Sequence, residues 1–574
     1  MPGLAGFTLG TYEPAEAVAS LARMRSLLAH GESRSEDELF CDGRVCATRT
    51  HTGIVQREPQ PHAEGGVRVW LDGEFYNREE LARTLGGGEE FASDAALLAA
   101  LYRRDGDFDF LKAIDGIYSA VIYDEPARRV HLVSDRYGLR HLFWTTHAGG
   151  LAWASEVKAM LALPGFEPEV DRAALQDFFE FGQLTGDRTW FEGVELLPSG
   201  TVLTWDEDAR TTLRRRYWWW DDIKPLEGSV DEDELARELG RLFRASVERR
   251  ARTGGRVGLT LSGGLDSRVI LAAMPEGGAA VHAVTFGKRG CDDVRIAAQA
   301  ARVRGAEHHV TEMSSEGWLA PRLGGVWATD GQLNLMHMHV AAAAPLVRQL
   351  FDVNLDGFLG DATIGGSYIG SHGRDVIGNL DSRGRRFISL GPAALRPFAE
   401  TRLPFFDNQF LELAMSAPES LRKDSCLYHK MLLLTFPEYF RDIPWQSTGA
   451  PITWPRREAS KRSLLGEKRE RLIEVLDYYG LRLRPARSYA DYANWLRREP
   501  ARSFCGALLG DASALYADYV PRERAGAVLA SHMKGRDRSE ELGRFITFEI
   551  WLRQVFLSEY REAGAQSLKL AAAR

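Results

Sequence analysis

The sequence has little cysteine and no long apolar run. Only five of its 574 residues are cysteines: Cys41, Cys46, Cys291, Cys426 and Cys505. An odd number spread so thinly argues against a disulfide framework and predicts a reducing, cytoplasmic compartment. No stretch approaches the roughly 20 apolar residues of a membrane span. The first residues lack the basic start and apolar run of a signal peptide, so we expect no membrane partner.

Charge and composition exclude further classes of protein. The chain has 72 basic and 80 acidic side chains and a net charge of −8, which disfavours nucleic acid as the main partner. Hydrophobic residues make up 44% and charged residues 26% of the chain. This is the balance of a globular protein and excludes a disordered or collagen-like chain. The length of 574 residues predicts two to four domains.

The first part of the chain has the pattern of short strands. β-Branched and aromatic runs at 67–71 and 118–123 and an alternating stretch at 129–134 are each bounded by turn residues, and only two stretches of this part look helical. We therefore predict that residues 1–205 form an α+β domain with packed sheets.

The second part has a different pattern. Residues 206–228 break the strand pattern and are predicted to be a linker. Ser229 and Glu232 then have the spacing of a capping box, which predicts a helix start. Strands and helices alternate after it, as in a doubly wound parallel sheet, and the chain becomes mostly helical after about residue 379. The second predicted domain is 229–574.

A glycine loop between a strand and a helix carries the chemistry. Its residues are Leu261, Ser262, Gly263, Gly264, Leu265, Asp266 and Ser267. Two glycines let the backbone approach an anion, and the helix N-terminus adds partial positive charge. Asp266 would repel a phosphate unless a cation lay between them, which predicts a Mg²⁺ ligand. The loop is not a Walker A motif, because no Gly-Lys-Ser/Thr follows.

This SGGLDS loop resembles the pyrophosphate-binding loop of the ATP pyrophosphatases. Further ordered motifs resemble the glutamine-dependent asparagine synthetase family, which includes β-lactam synthetases and lasso-peptide cyclases. They are LDGEFYN at 71–77, DRYGLR at 135–140, ASEVKA at 154–159, Gly360-Asp361 and ETRLPFFD at 400–407. The resemblance implies an N-terminal class-II amidotransferase-like sandwich of the Ntn-glutaminase type, followed by a synthetase domain with the ATP pyrophosphatase fold.

The resemblance also implies a reaction. In that family ATP adenylates a carboxylate, pyrophosphate leaves, and an amine attacks the acyl-adenylate to give an amide and AMP. ATP and Mg²⁺ are the implied cofactors, with Asp266 and Asp361 as Mg²⁺ ligands. Thr285 and Gly360 are assigned to the nucleotide site together with the loop. Lys430 stands where the family has a lysine that stabilises developing charge; a surface helix lysine is the alternative.

The glutaminase half departs from the family pattern. The family attacks glutamine with an N-terminal cysteine thiolate, and Pro2 occupies that position here. The family's oxyanion-hole Asn-Gly is Asp72-Gly73, which puts a negative charge where an oxyanion must form. Arg49 and Asp94 are remnants of a glutamine pocket or purely structural residues. We expect no glutamine hydrolysis; an amine nucleophile at Pro2 is a remote rival.

A second departure lies beside the predicted Mg²⁺ site. Phe358 stands where asparagine synthetases have a glutamate and β-lactam synthetases a tyrosine, and phenylalanine can replace neither. Ala362 replaces the acid that follows the Mg²⁺ aspartate. Glu400 is then a substitute base by position alone, unless it forms a structural salt bridge with Arg402 or another arginine.

Two histidine clusters are metal ligands by residue type only. These are His308-His309 and His337-Met338-His339, and no third and fourth ligand is evident at zinc-like spacing. A structural role is favoured for both clusters. For His337 and His339, contact with a substrate is an equal alternative.

Together these features predict an AMP-forming carbon–nitrogen ligase without glutaminase activity. The first hypothesis is a lasso-cyclase-like reaction, in which a side-chain carboxylate of a precursor peptide is adenylated and the peptide's own N-terminal amine closes a macrolactam. The alternatives are ammonia-dependent asparagine synthesis, amidation of another metabolite, and a non-catalytic ATP-binding or scaffold protein. Net charge and the lack of paired CxxC motifs disfavour tRNA modification. The expected partners are a carboxylate and an amine; a homodimer, a protease or a peptide-recognition protein stays open.

Overall fold

Two antiparallel sheets pack face to face in the first part of the chain. Their strands are β1 (Gly3–Thr8), β2 (Ser35–Glu36), β3 (Phe40–Cys41), β4 (Val45–His51), β5 (His62–Glu64), β6 (Val67–Phe75), β7 (Gly116–Asp124), β8 (Arg129–Ser134), β9 (Phe143–His147), β10 (Gly150–Ala154), β11 (Glu195–Leu196), β12 (Thr201–Asp206) and β13 (Thr211–Arg216). One sheet has the order β11-β9-β10-β1-β4-β2, with β3 also on β4, and the other has the order β13-β12-β8-β7-β6-β5. The strands predicted at 118–123 and 129–134 are confirmed as β7 and β8.

The structure is a computed structural model and describes residues 3–29, 35–86, 90–277, 280–370, 375–454 and 487–561, with the single residues Lys468 and Leu472. Pro2 lies outside the described residues. The chain forms two compact units. Unit 1 comprises Met1–Lys224, Arg374–Ser389 and Arg396–Glu400, and unit 2 comprises Pro225–Gly373, Leu390–Leu395 and Thr401–Arg574. Within the described ranges no helix has both the length and the apolar character to cross a membrane.

The core of unit 1 lies between its two sheets. Leu4 and Trp153 from one sheet meet Trp70, Val121 and Leu132 from the other in a single buried cluster. Alternate residues of a strand face the same side, so the β-branched and aromatic runs of the sequence supply this inner face. Burying an aliphatic side chain of this size contributes about 1.5–3 kcal/mol each. The predicted α+β sandwich is confirmed.

Helices flank these sheets. The α-helices of unit 1 are Pro14–Leu28, Arg78–Thr84, Asp94–Asp105, Arg172–Phe181 and Val376–Asn379, and the last continues into a π-helix, Leu380–Ile388; the 3₁₀ turns are Asp109–Ala113, Val157–Ala162 and Trp220–Asp222. The π-helix is anchored within the unit by Arg385, which is almost fully buried. Its Nη1 donates to the carbonyl of Leu197 at 3.3 Å, and its own carbonyl lies 3.0 Å from Nε2 of His141.

Residues 206–228 were predicted to be a linker, but part of this stretch is a β-strand. It contains strand β13, which pairs antiparallel with β12 along its whole length. β13 is an edge strand whose side chains are almost all exposed. A strand without a buried face has no apolar alternation, so its TTLRRR sequence gave no strand signal.

A five-stranded sheet organises unit 2. Its strands are β14 (Val257–Thr260), β15 (His282–Gly287), β16 (Glu307–Glu312), β17 (Val353–Leu355) and β18 (Glu400–Arg402), in the order β16-β15-β14-β17-β18. The pairs β14–β15, β14–β17 and β15–β16 are parallel. The predicted doubly wound α/β part is therefore confirmed.

Helices make up most of the rest of unit 2. The α-helices are Glu232–Ala251, Leu265–Ala273, Asp292–Arg304, Ala320–Ala328, Ala344–Leu350, Gly360–Thr363, Leu390–Ala393, Asn408–Ser416, Glu419–Arg422, Cys426–Thr435, Pro437–Phe440, Tyr492–Trp495, Ala501–Gly510, Arg522–Met533 and Ser539–Leu552. A π-helix spans Arg553–Leu557, and 3₁₀ turns span Leu335–His337, His339–Ala342, Pro404–Phe406, Lys423–Ser425 and Leu515–Asp518. The predicted helical character after residue 379 is confirmed.

The first helix of unit 2 begins later than the capping-box spacing predicted. Its N-cap is Asp231, whose carboxylate accepts hydrogen bonds from the amides of Asp233 and Glu234. Ser229 is therefore not the cap. Aspartate and serine are equally good caps, so spacing alone could not choose between them.

One disulfide joins Cys41 to Cys46. The two residues face each other across the β3–β4 hairpin, with Cα atoms 4.2 Å apart. The sequence argued against a disulfide framework, and it did not foresee this single cross-strand bond. Cys291 and Cys505 are buried free thiols, and Cys426 is exposed.

Candidate functional site

The glycine loop joins β14 to the helix Leu265–Ala273, as predicted. Ser262 N donates to the Ser267 hydroxyl at 2.9 Å, and Gly264 N donates to the Ser262 hydroxyl at 3.2 Å. Gly263 N donates to Oδ1 of Asp293 at 2.9 Å. The amides were predicted to face an anion directly, whereas here each has an internal acceptor. The two serine hydroxyls, 3.0 Å apart, are the groups of the loop that can turn towards a phosphate.

The backbone of Asp361 approaches the carboxylate of Asp266 at the first turn of that helix. The amide of Asp361 donates to Oδ2 of Asp266 at 3.1 Å. Burial, and next the charge of Asp361, raise the pKa of Asp266 to about 8. Gly360 permits this approach, because a Cβ there would lie 2.7 Å from Cγ of Asp266. The structure thus brings together Asp266, Asp361 and Gly360, all three predicted for this site.

The donor set at this carboxylate pair fits Mg²⁺. Asp266 accepts hydrogen bonds from two neutral donors, the Tyr428 hydroxyl at 2.8 Å and the Asp361 amide. Two close carboxylates repel each other, and a divalent cation would relieve that repulsion. Oxygen ligands of this type are those that Mg²⁺ prefers. Asp361 is exposed, so an ion can reach the pair from solvent.

Thr285 supports the loop from the neighbouring strand β15. It is buried, and its hydroxyl donates to the Leu261 carbonyl at 2.7 Å. Nε2 of His308 lies 2.8 Å from the same hydroxyl. Thr285 therefore fixes the start of the loop through protein contacts.

Lys430 lies on the helix Cys426–Thr435, but it faces away from the carboxylates. Its Nζ contacts Oε2 of Glu232 at 2.8 Å and Oδ1 of Asp233 at 2.9 Å. Two residues apart on an α-helix are rotated by about 200°, so Tyr428 and Lys430 occupy opposite faces. Because Tyr428 faces Asp266, Lys430 cannot do so. We correct the prediction of a catalytic Lys430 to a surface salt bridge.

The residues at 358 and 362, close to Asp361 in the sequence, are apolar and buried. Phe358 is buried and packs against Phe406 with ring centroids 5.3 Å apart. Ala362 is fully buried in the helix Gly360–Thr363. Neither residue offers a group that can accept a proton.

In unit 1, a cluster of buried charged side chains surrounds Asp72. Asp72, on β6, accepts hydrogen bonds from Nε and Nη2 of Arg140 at 2.7 and 2.5 Å and from Nη2 of Arg396 at 2.8 Å. Burial alone would raise the pKa of Asp72, but Arg140 and Arg396 outweigh it and hold the pKa below its usual value. Asp72 is therefore a carboxylate clamped between two cations.

The turn that follows β8 positions Arg140. The buried carboxylate of Asp135 accepts hydrogen bonds from the amides of Tyr137 and Arg140, at 2.9 and 3.1 Å, within its own turn. Gly138 has a φ of +62°, which glycine adopts without strain. The DRYGLR motif is thus a rigid turn that delivers an arginine to Asp72. Gly73 is required for another reason, because a Cβ there would lie 2.1 Å from the Ile117 carbonyl.

Glu400 completes this cluster. It is buried, and Oε2 lies 3.2 Å from Nη1 of Arg140. It is therefore tied up in an ion pair within unit 1, which corrects the prediction of a substitute base. The sequence had foreseen a salt bridge as the alternative, with Arg402 or another arginine as partner. The partner is Arg140.

The two remnants of a glutamine pocket also have protein partners. Nε of Arg49 binds Oδ2 of Asp37 at 2.7 Å, and both side chains are buried. Asp94 accepts hydrogen bonds from Phe75 N at 2.8 Å and from the Gln56 side chain at 2.5 Å. Burial raises the pKa of Asp94 to about 7. Arg49 thus already holds a buried carboxylate within the protein.

Two stretches of the chain match known domain families. Residues 1–218 match the glutamine amidotransferase domain family, and residues 238–380 match the asparagine synthase family. The chain is therefore similar to these two domain families over these two stretches.

Curated relatives carry the same family name at modest identity. A putative asparagine synthetase (glutamine-hydrolyzing) of Mycobacterium tuberculosis is 28% identical over 345 residues, covering 55% of this chain and 52% of the relative. Asparagine synthetase (glutamine-hydrolyzing) 2 of Bacillus subtilis is 29% identical over 223 residues, covering 37% and 30%. Amidase chry2 of Gibberella zeae is 26% identical over 326 residues, covering 52% and 48%. The chain spans about half the length of the first of these relatives.

Similarity to solved structures is weaker. Glutamine phosphoribosylpyrophosphate amidotransferase from Bacillus subtilis, complexed with ADP and GMP, shares 14% identity with a TM-score of 0.26, over 54% of this chain and 65% of that chain.

The structure adds residues to the glycine-loop site of unit 2 and to the Asp72 cluster of unit 1 that the sequence analysis missed. Asp293 binds the loop amide of Gly263, and Tyr428 binds Asp266. Arg140 and Arg396 clamp Asp72. The DRYGLR motif pointed to Arg140 without indicating its role. For Arg396 and Asp293 the sequence gave no signal, because their partners lie far away along the chain.

The histidines at 337 and 339 have structural contacts. His339 stacks on Tyr492, with ring centroids 5.7 Å apart and planes 11° apart, and Nε2 lies 3.0 Å from the Tyr489 hydroxyl. Burial, and next Arg322, lower the pKa of His339 well below its usual value. His337 Nε2 contacts Oε2 of Glu540 at 2.9 Å.

Proposed function

We propose that the protein is an AMP-forming amide ligase that does not hydrolyse glutamine. One observation carries the proposal: Asp72 stands in the oxyanion-hole position of unit 1 as a carboxylate clamped by Arg140 and Arg396. A hole for a developing oxyanion needs donors that are free to point at it. Here the carboxylate of Asp72 accepts the hydrogen bonds of the Arg140 and Arg396 guanidinium groups. The buried Arg49–Asp37 pair adds support.

The synthetase part keeps the groups that the ligase reaction needs. The hydroxyls of Ser262 and Ser267 and the helix N-terminus would bind the pyrophosphate of ATP. Asp266 and Asp361 would hold Mg²⁺, which neutralises charge on the phosphates when bound. Tyr428 would orient Asp266 through its hydrogen bond. The cytoplasm, which supplies ATP, is the proposed compartment.

For the substrates we propose an internal amine, as in macrolactam formation. A ligase without its own ammonia supply gains from an amine held beside the acyl-adenylate. Phe358 and Ala362 remove the acidic groups from that place, which speaks against the amino-acid chemistry of asparagine synthetases and the tyrosine-dependent closure of β-lactams. A peptide with a free N-terminal amine and an Asp or Glu side chain has both reacting groups.

Ammonia-dependent asparagine synthesis is the second candidate. The names of the curated relatives favour it, and it requires that Phe358 be a tolerated change. A non-catalytic ATP-binding role is the third. The intact carboxylate pair of Asp266 and Asp361 argues against it.

The experiment measures AMP and pyrophosphate formation from Mg-ATP. Aspartate is supplied first with ammonium and then with glutamine, and ammonia release from glutamine is followed separately. We expect no ammonia release and no turnover with aspartate. Asparagine formed with ammonium would select the second candidate, and ammonia release from glutamine would refute the proposal. ATP binding without turnover leads to assays with peptides that carry a free N-terminal amine.

A further inference from the structure

Three potential metal ligands meet on the edge of the parallel sheet in unit 2. His282 begins β15, and Glu307 and His309 lie two residues apart on β16. In the parallel register His282 is paired with Glu307, and Val284 with His309. Residues two apart on a strand share a face, so the three side chains point to the same side of two adjacent strands. None of these three residues is assigned a part in the proposed ligase reaction.

The distances between the ligand atoms match a tetrahedral zinc site. Nδ1 of His282 lies 3.2 Å from Nε2 of His309 and 3.3 Å from Oε2 of Glu307. Nε2 of His309 lies 3.7 Å from the same oxygen. Bonds of 2.0–2.1 Å to a tetrahedral zinc put neighbouring ligand atoms about 3.3 Å apart. The three atoms therefore already stand near the corners of one face of such a tetrahedron.

We propose that His282, Glu307 and His309 bind a divalent transition metal, with Zn²⁺ as the ion that fits best. Two imidazoles and one carboxylate suit zinc, and with three protein ligands the fourth position is open to water. The side chains are 23%, 57% and 28% exposed, so an ion can enter from solvent. The ion would join the edge strand β16 to β15.

The sequence could not reveal this site. The neighbouring pair His308-His309 had suggested a metal, but His308 points to the other face and contacts Thr285. The missing ligands are Glu307 and His282. His282 lies 27 positions before His309, on the far side of the helix Asp292–Arg304. Ligands on two parallel strands are separated in sequence by the connecting helix, so they form no short zinc-binding motif. Only the pairing of the strands brings them together.

Zinc binding to the whole chain without a histidine tag tests the proposal. Calorimetric titration of metal-free protein with Zn²⁺ gives the stoichiometry and affinity, and titration with Co²⁺ reports tetrahedral geometry through visible absorption. We expect one tight equivalent with imidazole in the coordination sphere. His309→Gln and His282→Gln each remove a ligand and should weaken that equivalent at least about 10-fold.

His62→Gln is the matched control. His62 and Glu64 form a histidine–glutamate pair, with Nε2 and Oε2 3.7 Å apart, and they belong to no three-residue cluster among the described residues. The control should bind zinc like the wild type. Equal zinc binding by wild type and His309→Gln would overturn the proposal. So would a wild-type protein without the tetrahedral cobalt spectrum, a result that depends on no variant and therefore on no variant's folding.

Discussion

The guanidinium of Arg140 binds both carboxylate oxygens of Asp72, with Nη2–Oδ1 at 2.5 Å and Nε–Oδ2 at 2.7 Å. This two-point contact is the strongest geometry available to an arginine–carboxylate pair. The family resemblance gives this position an asparagine in glutaminases. In this protein the position is the centre of a buried ion cluster with Arg140 and Arg396.

Asp72→Asn should destabilise the protein without creating glutaminase activity. The substitution leaves Arg140 and Arg396 buried with less counter-charge, and breaking such a pair costs about 3–5 kcal/mol. Denaturant unfolding measures the loss. Glu238→Gln breaks an exposed pair with Arg241 and should cost under about 1 kcal/mol. If the two variants lost similar amounts of unfolding free energy, Asp72 would not be the centre of a stabilising ion cluster. If Asp72→Asn released ammonia from glutamine, the protein would still have a working glutamine site, contrary to the proposal.

Asp94 should make the stability of the protein depend on pH. Its pKa in the folded state is about 7, above its value of about 3.9 in the unfolded chain. The folded state therefore binds the extra proton between these values, and Asp94 costs stability as the pH rises from about 4 to 7. Relative to wild type, Asp94→Asn should gain about 1–4 kcal/mol between pH 5 and pH 8. A difference in unfolding free energy that does not change with pH would exclude this role.

Mg²⁺ should stabilise the protein through Asp266 and Asp361. A ligand that binds only the folded state raises the melting temperature. Asp266 has a pKa of about 8, so protons compete with Mg²⁺ and the rise should be larger at pH 8.5 than at pH 6.5. Asp361→Asn should abolish the rise, and Glu238→Gln should retain it. If Mg²⁺ raised the melting temperature of Asp361→Asn as much as that of the wild type, the metal would bind at another site.

Tyr428 and Lys430 should differ sharply in their effect on ligase activity. Tyr428→Phe removes the hydroxyl that binds Asp266 and should lower the rate of AMP formation about 10-fold, which corresponds to about 1.4 kcal/mol. Lys430→Met removes only the pair with Glu232 and Asp233 and should change the rate less than about 2-fold. The opposite order would restore Lys430 as the catalytic residue. The rate of AMP formation is measured with whichever substrate supports turnover. Exchange of labelled pyrophosphate into ATP is the alternative assay.

The sequence predicted local structure well wherever one face is buried. β8 lies at the predicted 129–134, and the glycine loop joins a strand to a helix as expected. It failed for β13, because an exposed edge strand has no alternation. It also failed for Lys430, where the side of the helix that faces the site depends on packing against Glu232–Ala251.

The candidate site was only partly predictable, for a topological reason. Asp266 and Asp361 could be paired through a family motif, although 95 positions separate them. The clamp on Asp72 joins it to Arg396, 324 positions away. Local pattern carries no information at that range. The motif at 400–407 was assigned wholly to the synthetase, whereas Glu400 belongs to the cluster of unit 1.

The return of residues 374–389 and 396–400 to unit 1 also bears on how such a protein can evolve. A domain that had lost its chemistry could be shed if it were a separate block at the start of the gene. Here a deletion of the first 224 residues would leave Arg385, Arg396 and Glu400 without the partners that bury them. Unit 1 therefore cannot be removed as one continuous block of sequence, because buried side chains that complete it come from between stretches of unit 2.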